Sequence, residues 1–241
     1  MTIKNVFLNI FLKFILFVLC GFGIFFLVFF AYYFYQIKFG DTEKINKINA
    51  NFSAVSQNQE TDFQTTEIKN WENLINNYNP KKGEDNSQIK IIAFMDFECS
   101  YCKQDYKKIL DIQEKFPISQ IIFKYTPILN GTENLSYKTA LASACANEQG
   151  YFWEYYEKLF TNENHTQNNL FQIASDLGLD TENFQNCFNS ETYKNQINQD
   201  LKDFSDYNFR GTPTYLINGY ILEGVQAEKN WTEKILQLIN N

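Results

Sequence analysis

Three observations predict an α/β fold. A short isoleucine-rich run leads directly into a Cys-x-x-Cys pair, and that pair opens an amphipathic helical pattern. A second apolar run, a long block of helical pattern, a hairpin signal and a last helix then follow in that order. Strand, helix, strand, helices, hairpin, helix is the order of a central sheet with helices on its faces.

Each element has its own warrant. Ile89 to Met95 is an apolar run with Ile89, Ile91 and Ile92, the composition of a buried strand. From Ser100 onward Tyr101, Ile109, Ile112 and Phe116 fall at helical spacing with Lys and Asp between them, until Pro117 stops the pattern. Ile118 to Tyr125 is the second strand, and Pro127 with Asn130-Gly131 marks a turn. From Asn134 to Asn208 the pattern is helical throughout. Leu135 to Asn147 is Ala-rich, Tyr151 to Phe160 carries Phe152, Trp153, Tyr156 and Leu159, and Leu170 to Leu177 ends at Gly178. Asp180-Thr181 opens a helix through Phe184 and Phe188, and Tyr193 to Tyr207 is amphipathic. Gly211-Thr212-Pro213 breaks the helical run. Thr214 to Ile217 and Tyr220 to Val225 then form a hairpin turned by Asn218-Gly219, and Trp231 to Ile239 is a closing helix.

The N-terminal part is of another kind. Residues 14–37 carry no charge until Lys38 and are dominated by Phe, Leu, Ile and Val, longer than the roughly 20 residues a helix needs to cross a bilayer. Tyr32, Tyr33 and Tyr35 stand near the far end, as interfacial aromatics do. A cleaved signal peptide needs a shorter apolar core and a small-residue cleavage site, which Phe-Phe-Ala-Tyr-Tyr-Phe does not offer. The expectation is a single-pass anchor at 14–37 behind a cytoplasmic tail, 1–13. Residues 38–87 are then a polar tether ending in a short helix, Glu67 to Tyr78, and 88–241 a folded domain. Lysines on both sides of the span leave its orientation undecided by charge.

A net charge of −7 argues against nucleic-acid binding, which needs a basic surface. Arg210 is the one arginine, and the scattered Asn-x-Ser/Thr triplets follow from the abundance of Asn. Of five cysteines, Cys20 lies in the apolar run. Cys99, Cys102, Cys145 and Cys187 form an even set, which suits an oxidising compartment and places the C-terminal part outside the cytoplasm.

A Cys-x-x-Cys at a strand-to-helix junction is a thiol–disulfide redox motif. The helix N-terminus favours a Cys99 thiolate, and one turn of helix sets Cys102 beneath an exposed Cys99. A zinc knuckle needs a second ligand pair at short spacing, whereas Cys145 and Cys187 are isolated and His165 is the one histidine; no metal site is expected. His165 lies in a polar stretch, Asn162 to Asn169, and is expected to be solvated. Asp96 is either an aid to ionisation or a strand-end turn acid. Glu98 puts negative charge beside Cys99, and Lys103 partly offsets it. The aromatics from Phe152 to Tyr156 are expected to be packing residues.

Three separated motifs carry a resemblance. Phe94-Met95-Asp96-Phe97-Glu98-Cys99-Ser100-Tyr101-Cys102 resembles the active-site stretch of the DsbA-like thiol–disulfide oxidoreductases, a thioredoxin-fold family. Ala144 to Trp153 resembles the start of that family's helical insertion, and Gly211-Thr212-Pro213-Thr214 with Ile217-Asn218-Gly219 resembles its proline loop. The match runs from about Gln88 to the C-terminus. It implies a thioredoxin-like fold with a helical insertion at about 133–208, a cis-Pro213 facing the disulfide, and substrate binding through the Thr212 backbone beside Ser100 and Tyr101. It also implies a structural Cys145–Cys187 disulfide, with two buried free thiols as the alternative. Two positions depart from the family pattern. Ala93 stands where many relatives have a buried acid, and Ser100 where Pro is common.

The expectation is a membrane-anchored oxidoreductase on the periplasmic or extracellular side. It forms disulfides in exported cysteine-containing proteins through Cys99–Cys102, without a cofactor, and is reoxidised by a quinone-linked membrane partner. A reductase or isomerase with the same residues is the first alternative; a non-enzymatic thiol metallochaperone or binding module is the second.

Overall fold

A computed structural model of the protein describes residues 29–30, 67–128 and 134–240. The expected anchor at 14–37 lies outside the described residues apart from Phe29 and Phe30, which are helical. Among the described residues no helix is long and apolar enough to cross a membrane.

The elements are, in chain order, β1 (Lys81–Lys82), β2 (Ile89–Met95), α1 (Ser100–Lys115), β3 (Ser119–Tyr125), α2 (Leu135–Glu148), α3 (Phe152–Thr161), α4 (Gln167–Asp176), α5 (Thr181–Asn189), α6 (Lys194–Asp206), β4 (Thr214–Ile217), β5 (Tyr220–Glu223) and α7 (Glu228–Ile239). The sheet order is β1-β3-β2-β4-β5. β2 and β3 run parallel across the α1 crossover, and the other pairs are antiparallel. This is the predicted α/β class: a mixed sheet with α2 to α6 inserted between β3 and β4.

Alternation along β2 explains why its run is apolar apart from Lys90 near its start. Ile89, Ile91, Ala93 and Met95 point into a large core formed with α1, the inserted helices and α7, whereas Ile92 and Phe94 point to the other face. There they meet Ile122, Leu216, Phe204, Phe209, Ile68 and Leu74. A strand covered on both faces has no polar side to show. The hairpin turns at Asn218 and Gly219, both at positive φ, as a two-residue turn demands.

The segment before β2 differs from its expectation. In place of a helix over Glu67 to Tyr78 there is one 3-10 turn, Trp71–Leu74, entered from Asn70 at φ 57° and left through an extended Ile75. Asn side chains here bond the local backbone: Asn79 Oδ1 accepts from the Asn76 amide at 3.0 Å. Such contacts compete with continued helix. Lys81 and Lys82 pair with Ile122 and Ile121 as an edge strand.

A charged cluster lies inside the structure. Lys124 of β3 is fully buried, and its ammonium bonds Asp200 at 2.6 Å, Asp203 at 2.6 Å and the Leu74 carbonyl at 2.9 Å. Asp200 also accepts from the Tyr125 amide, the Asn79 amide side chain and the Tyr78 hydroxyl. These bonds satisfy the three ammonium protons, as burial of a charge requires.

Candidate active site

The turn from β2 into α1 is held by its own acid. Asp96 is buried; its Oδ1 accepts from the Glu98 amide at 2.9 Å and its Oδ2 from the Ile128 amide at 3.0 Å. Its carbonyl accepts from the Cys99 amide at 3.1 Å. Of the two roles open to Asp96, its carboxylate takes the turn-forming one. Phe97 closes the turn from the core side, with ring centroids 5.5 Å from Phe123 and 5.0 Å from Phe160.

Cys99 is the N-cap of α1, in extended conformation, with Cys102 one turn on. Both thiols are free in this structure. Cys99 is 7 % exposed and Cys102 is 0 % exposed, so Cys99 is the reachable sulfur but far less open than its place in the sequence suggests. The cover includes the loop before β4: Cys99 Sγ lies 3.2 Å from the carbonyl oxygen of Thr212, and the Thr212–Pro213 peptide is cis. Ser100 and Tyr101 face solvent, Tyr101 at 61 %. Tyr101 therefore does not join the apolar face of α1, whose inward positions go to Cys102, Asp105, Ile109 and Ile112.

The two thiols are pushed in opposite directions. A hydrogen bond from the Cys102 side chain is the main influence pulling Cys99 down to about 5. Burial opposes it, and the Thr212 side chain and the Cys102 and Tyr101 amides at the helix start assist it. Cys102 is pushed well above the ordinary thiol value, first by burial, then by its bond to Cys99 and the charge there. A reachable thiolate over an enclosed thiol can attack, or leave from, a disulfide.

Cys145 of α2 and Cys187 of α5 are joined by a disulfide within the insertion. Phe152, Tyr155 and Tyr156 are buried, and Trp153 donates to the Lys81 carbonyl at 2.9 Å. Among the described residues no group of three or more His, Cys, Asp or Glu is placed to hold a metal ion.

Two residues near the centre differ from their sequence pattern. His165 is not solvated: it is buried and its Nδ1 meets the Glu98 carboxylate, 67 residues away. Ala93 is fully buried with no acid, but Asp105, one turn beyond Cys102, is a buried carboxylate that accepts from the Tyr215 hydroxyl at 2.9 Å and pairs with Lys108. Asp105 sits three residues past Cys102, an inward helical position that the pattern of the sequence contained.

Known proteins resemble this chain in sequence and in fold. The curated relative Na(+)/H(+) antiporter NhaA 3 of Salinispora tropica is 25 % identical over 139 residues, covering 57 % of this chain. The chain spans only about a fifth of such relatives, 21 % in this case. A thioredoxin-like oxidoreductase from Silicibacter pomeroyi matches in structure with a TM-score of 0.65 at 19 % identity, over 72 % of this chain and 99 % of that one. The thiol-disulfide exchange protein alpha-DsbA2 of Wolbachia pipientis gives 0.64 at 21 % identity, over 71 % and 93 %. These likenesses are of fold. The thioredoxin family model matches residues 76–237, from the end of the 3-10 segment to the last helix and through both cysteines of the turn. With the sheet, the insertion and that turn all inside the match, this chain belongs to the thioredoxin family.

Proposed function

We propose that the chain is a DsbA-like thiol–disulfide oxidoreductase that forms disulfides in exported proteins through a Cys99–Cys102 redox pair. The observation that carries this reading is the contrast between the sulfurs: Cys99 held near 5 at the mouth, Cys102 enclosed and protonated behind it. A stabilised thiolate is a good leaving group, which favours the oxidase direction.

In that direction a substrate thiolate attacks Cys99 Sγ, the Cys99–Cys102 bond breaks, and Cys102 leaves and takes a proton. A second substrate thiolate attacks the substrate sulfur of the mixed disulfide and Cys99 leaves as thiolate. The substrate loses two electrons and the pair gains them. A quinone-linked membrane partner removes the two electrons and restores the pair. Thr212 and Pro213, with Ser100 and Tyr101 on the open side, form the surface against which a substrate chain lies. Residues 14–37 anchor the domain to the membrane, with residues 88–241 on the periplasmic or extracellular side. The oxidising compartment agrees with the Cys145–Cys187 bond.

Equilibration of the full chain, in detergent, with glutathione tests the direction. A potential well above that of thioredoxin, about −270 mV, is expected; a value near thioredoxin's would move the assignment to a reductase. Cys99→Ser is expected to abolish oxidation of reduced substrate protein. Full activity in that variant would turn the reading to a binding module.

A further inference from the structure

His165 is the chain's one histidine and lies in the loop between α3 and α4. Its ring joins two segments far apart in sequence. Nε2 is 2.9 Å from the carbonyl oxygen of Leu159, in the last turn of α3, and Nδ1 meets Glu98, the residue before Cys99. A carbonyl oxygen only accepts, so Nε2 carries a proton. The contact between Nδ1 and the Glu98 carboxylate, two groups that both accept when deprotonated, therefore needs one further proton between them. With that proton the pair is neutral overall; without it a full negative charge stands on the residue before Cys99. The side chains are 7 % and 23 % exposed, so water screens this charge less than at an open surface.

The same contact fixes the turn in space. Phe97 packs on Phe160 and Tyr156 of α3, at 5.0 and 6.0 Å between centroids, and Glu98 meets His165 just beyond that helix. Adjacent residues of the turn thus grip the insertion. The other charged or titratable groups on the elements that meet here are few. Asp96 is bonded to the turn amides, Lys103 of α1 pairs with Glu163 of the loop at 3.6 Å, and Glu157 and Lys158 of α3 face solvent. Tyr156 of α3 and Tyr106, Cys102 and Asp105 of α1 also face this region, with Cys99 itself.

We propose that His165 is a positioning residue for the Cys99–Cys102 centre: by pairing with Glu98 it cancels the acid's charge beside the Cys99 thiolate and shifts the balance towards the dithiol. The proposal rests on the redox reading above and names the partner that tunes it.

The test is equilibration of the full chain, in detergent, with glutathione from about pH 5 to 8, in wild type, His165→Gln, Glu98→Gln and the double variant. The reaction is disulfide plus two glutathiones giving dithiol plus glutathione disulfide. His165→Gln leaves Glu98 uncompensated, and a shift of about three- to tenfold towards the disulfide form is expected; tenfold corresponds to about 30 mV. Adding Glu98→Gln to that variant removes the charge and is expected to bring the constant back to within about twofold of wild type. A His165→Gln constant equal to wild type, or a double variant displaced as far as the single one, overturns the proposal and leaves the redox reading standing. Should His165→Gln not fold, His165→Asn takes its place under the same expectations. If wild type does not exchange with glutathione at all, the redox reading falls and this proposal with it.

Discussion

The sulfur of Cys99 lies 3.2 Å from the carbonyl oxygen of Thr212, to which its thiol form donates, and the enclosed Cys102 thiol is the strongest influence towards its thiolate form. Cys102→Ala removes that contact and is expected to move the Cys99 titration up from about 5 by roughly one unit or more. Thiolate absorbance against pH measures it. The same depressed value links stability to pH in the reduced protein. A thiol lowered from 9.0 to about 5 stabilises the fold fully above 9.0 and loses that contribution as pH falls through 5. The stability gap between reduced wild type and Cys99→Ala should therefore narrow on acidification across that window.

The Cys145–Cys187 bond closes a loop with a sequence separation of 42. Chain-entropy reasoning puts the cost of losing such a cross-link at about 4 kcal/mol. Chemical denaturation of the Cys145→Ala/Cys187→Ala variant should show a midpoint lowered accordingly, with thiol exchange at Cys99 retained. An unchanged midpoint would contradict a stabilising role for the insertion's cross-link.

Lys124→Met leaves Asp200 and Asp203 facing each other without their shared cation. Removing one partner of a buried pair costs about 3–5 kcal/mol, read as a drop in the urea midpoint at neutral pH. Burial already pushes Asp200 up to about 6, against the pull of Lys124. A carboxyl raised in the folded state gains stability as it protonates, most fully below its ordinary value of 3.8, and loses it as pH rises through 6. Without the lysine this effect grows, so the variant's deficit should shrink between neutral pH and pH 5. A deficit independent of pH would mean that packing, not charge, sets the cost.

Gly219→Ala meets two obstacles. The residue sits at φ +87°, and an added Cβ would lie 2.5 Å from Trp71 Cδ1 and 2.8 Å from the Ile68 carbonyl oxygen. A loss of about 1–3 kcal/mol is expected, together with altered Trp71 fluorescence as the indole is displaced. Unchanged emission would show that the turn yields in place of the ring.

The order of elements was legible because each depends on near neighbours in sequence. Ile89 to Met95 is apolar at every position facing a core, Asp180 caps α5 by accepting from the Asn183 amide at 3.0 Å, and Asn218-Gly219 makes the hairpin turn. What escaped the sequence was set by distant partners. His165 in a run of Asn and Thr gives no sign of Glu98, and Lys124 in a strand reads as a solvent-facing charge until Asp200 and Asp203 are brought over it. Asp105 shows its inward place in the helical pattern but not its Tyr215 partner, 110 residues away. The helix expected over Glu67 to Tyr78 failed locally, where asparagine side chains bonded the backbone in competition with helix.

The segment from Glu67 to Lys82 acts as a belt. At its start Glu67 bridges Tyr220 of β5, and at its end Lys81 and Lys82 form the opposite edge strand, β1, beside β3, so one stretch of chain reaches both sides of the sheet. Open strand edges invite pairing with other chains, and a fastening at each side discourages that. Any pull on the chain from its N-terminal side would reach the Glu67 fastening first, and the strands around Cys99 only after the belt had come undone.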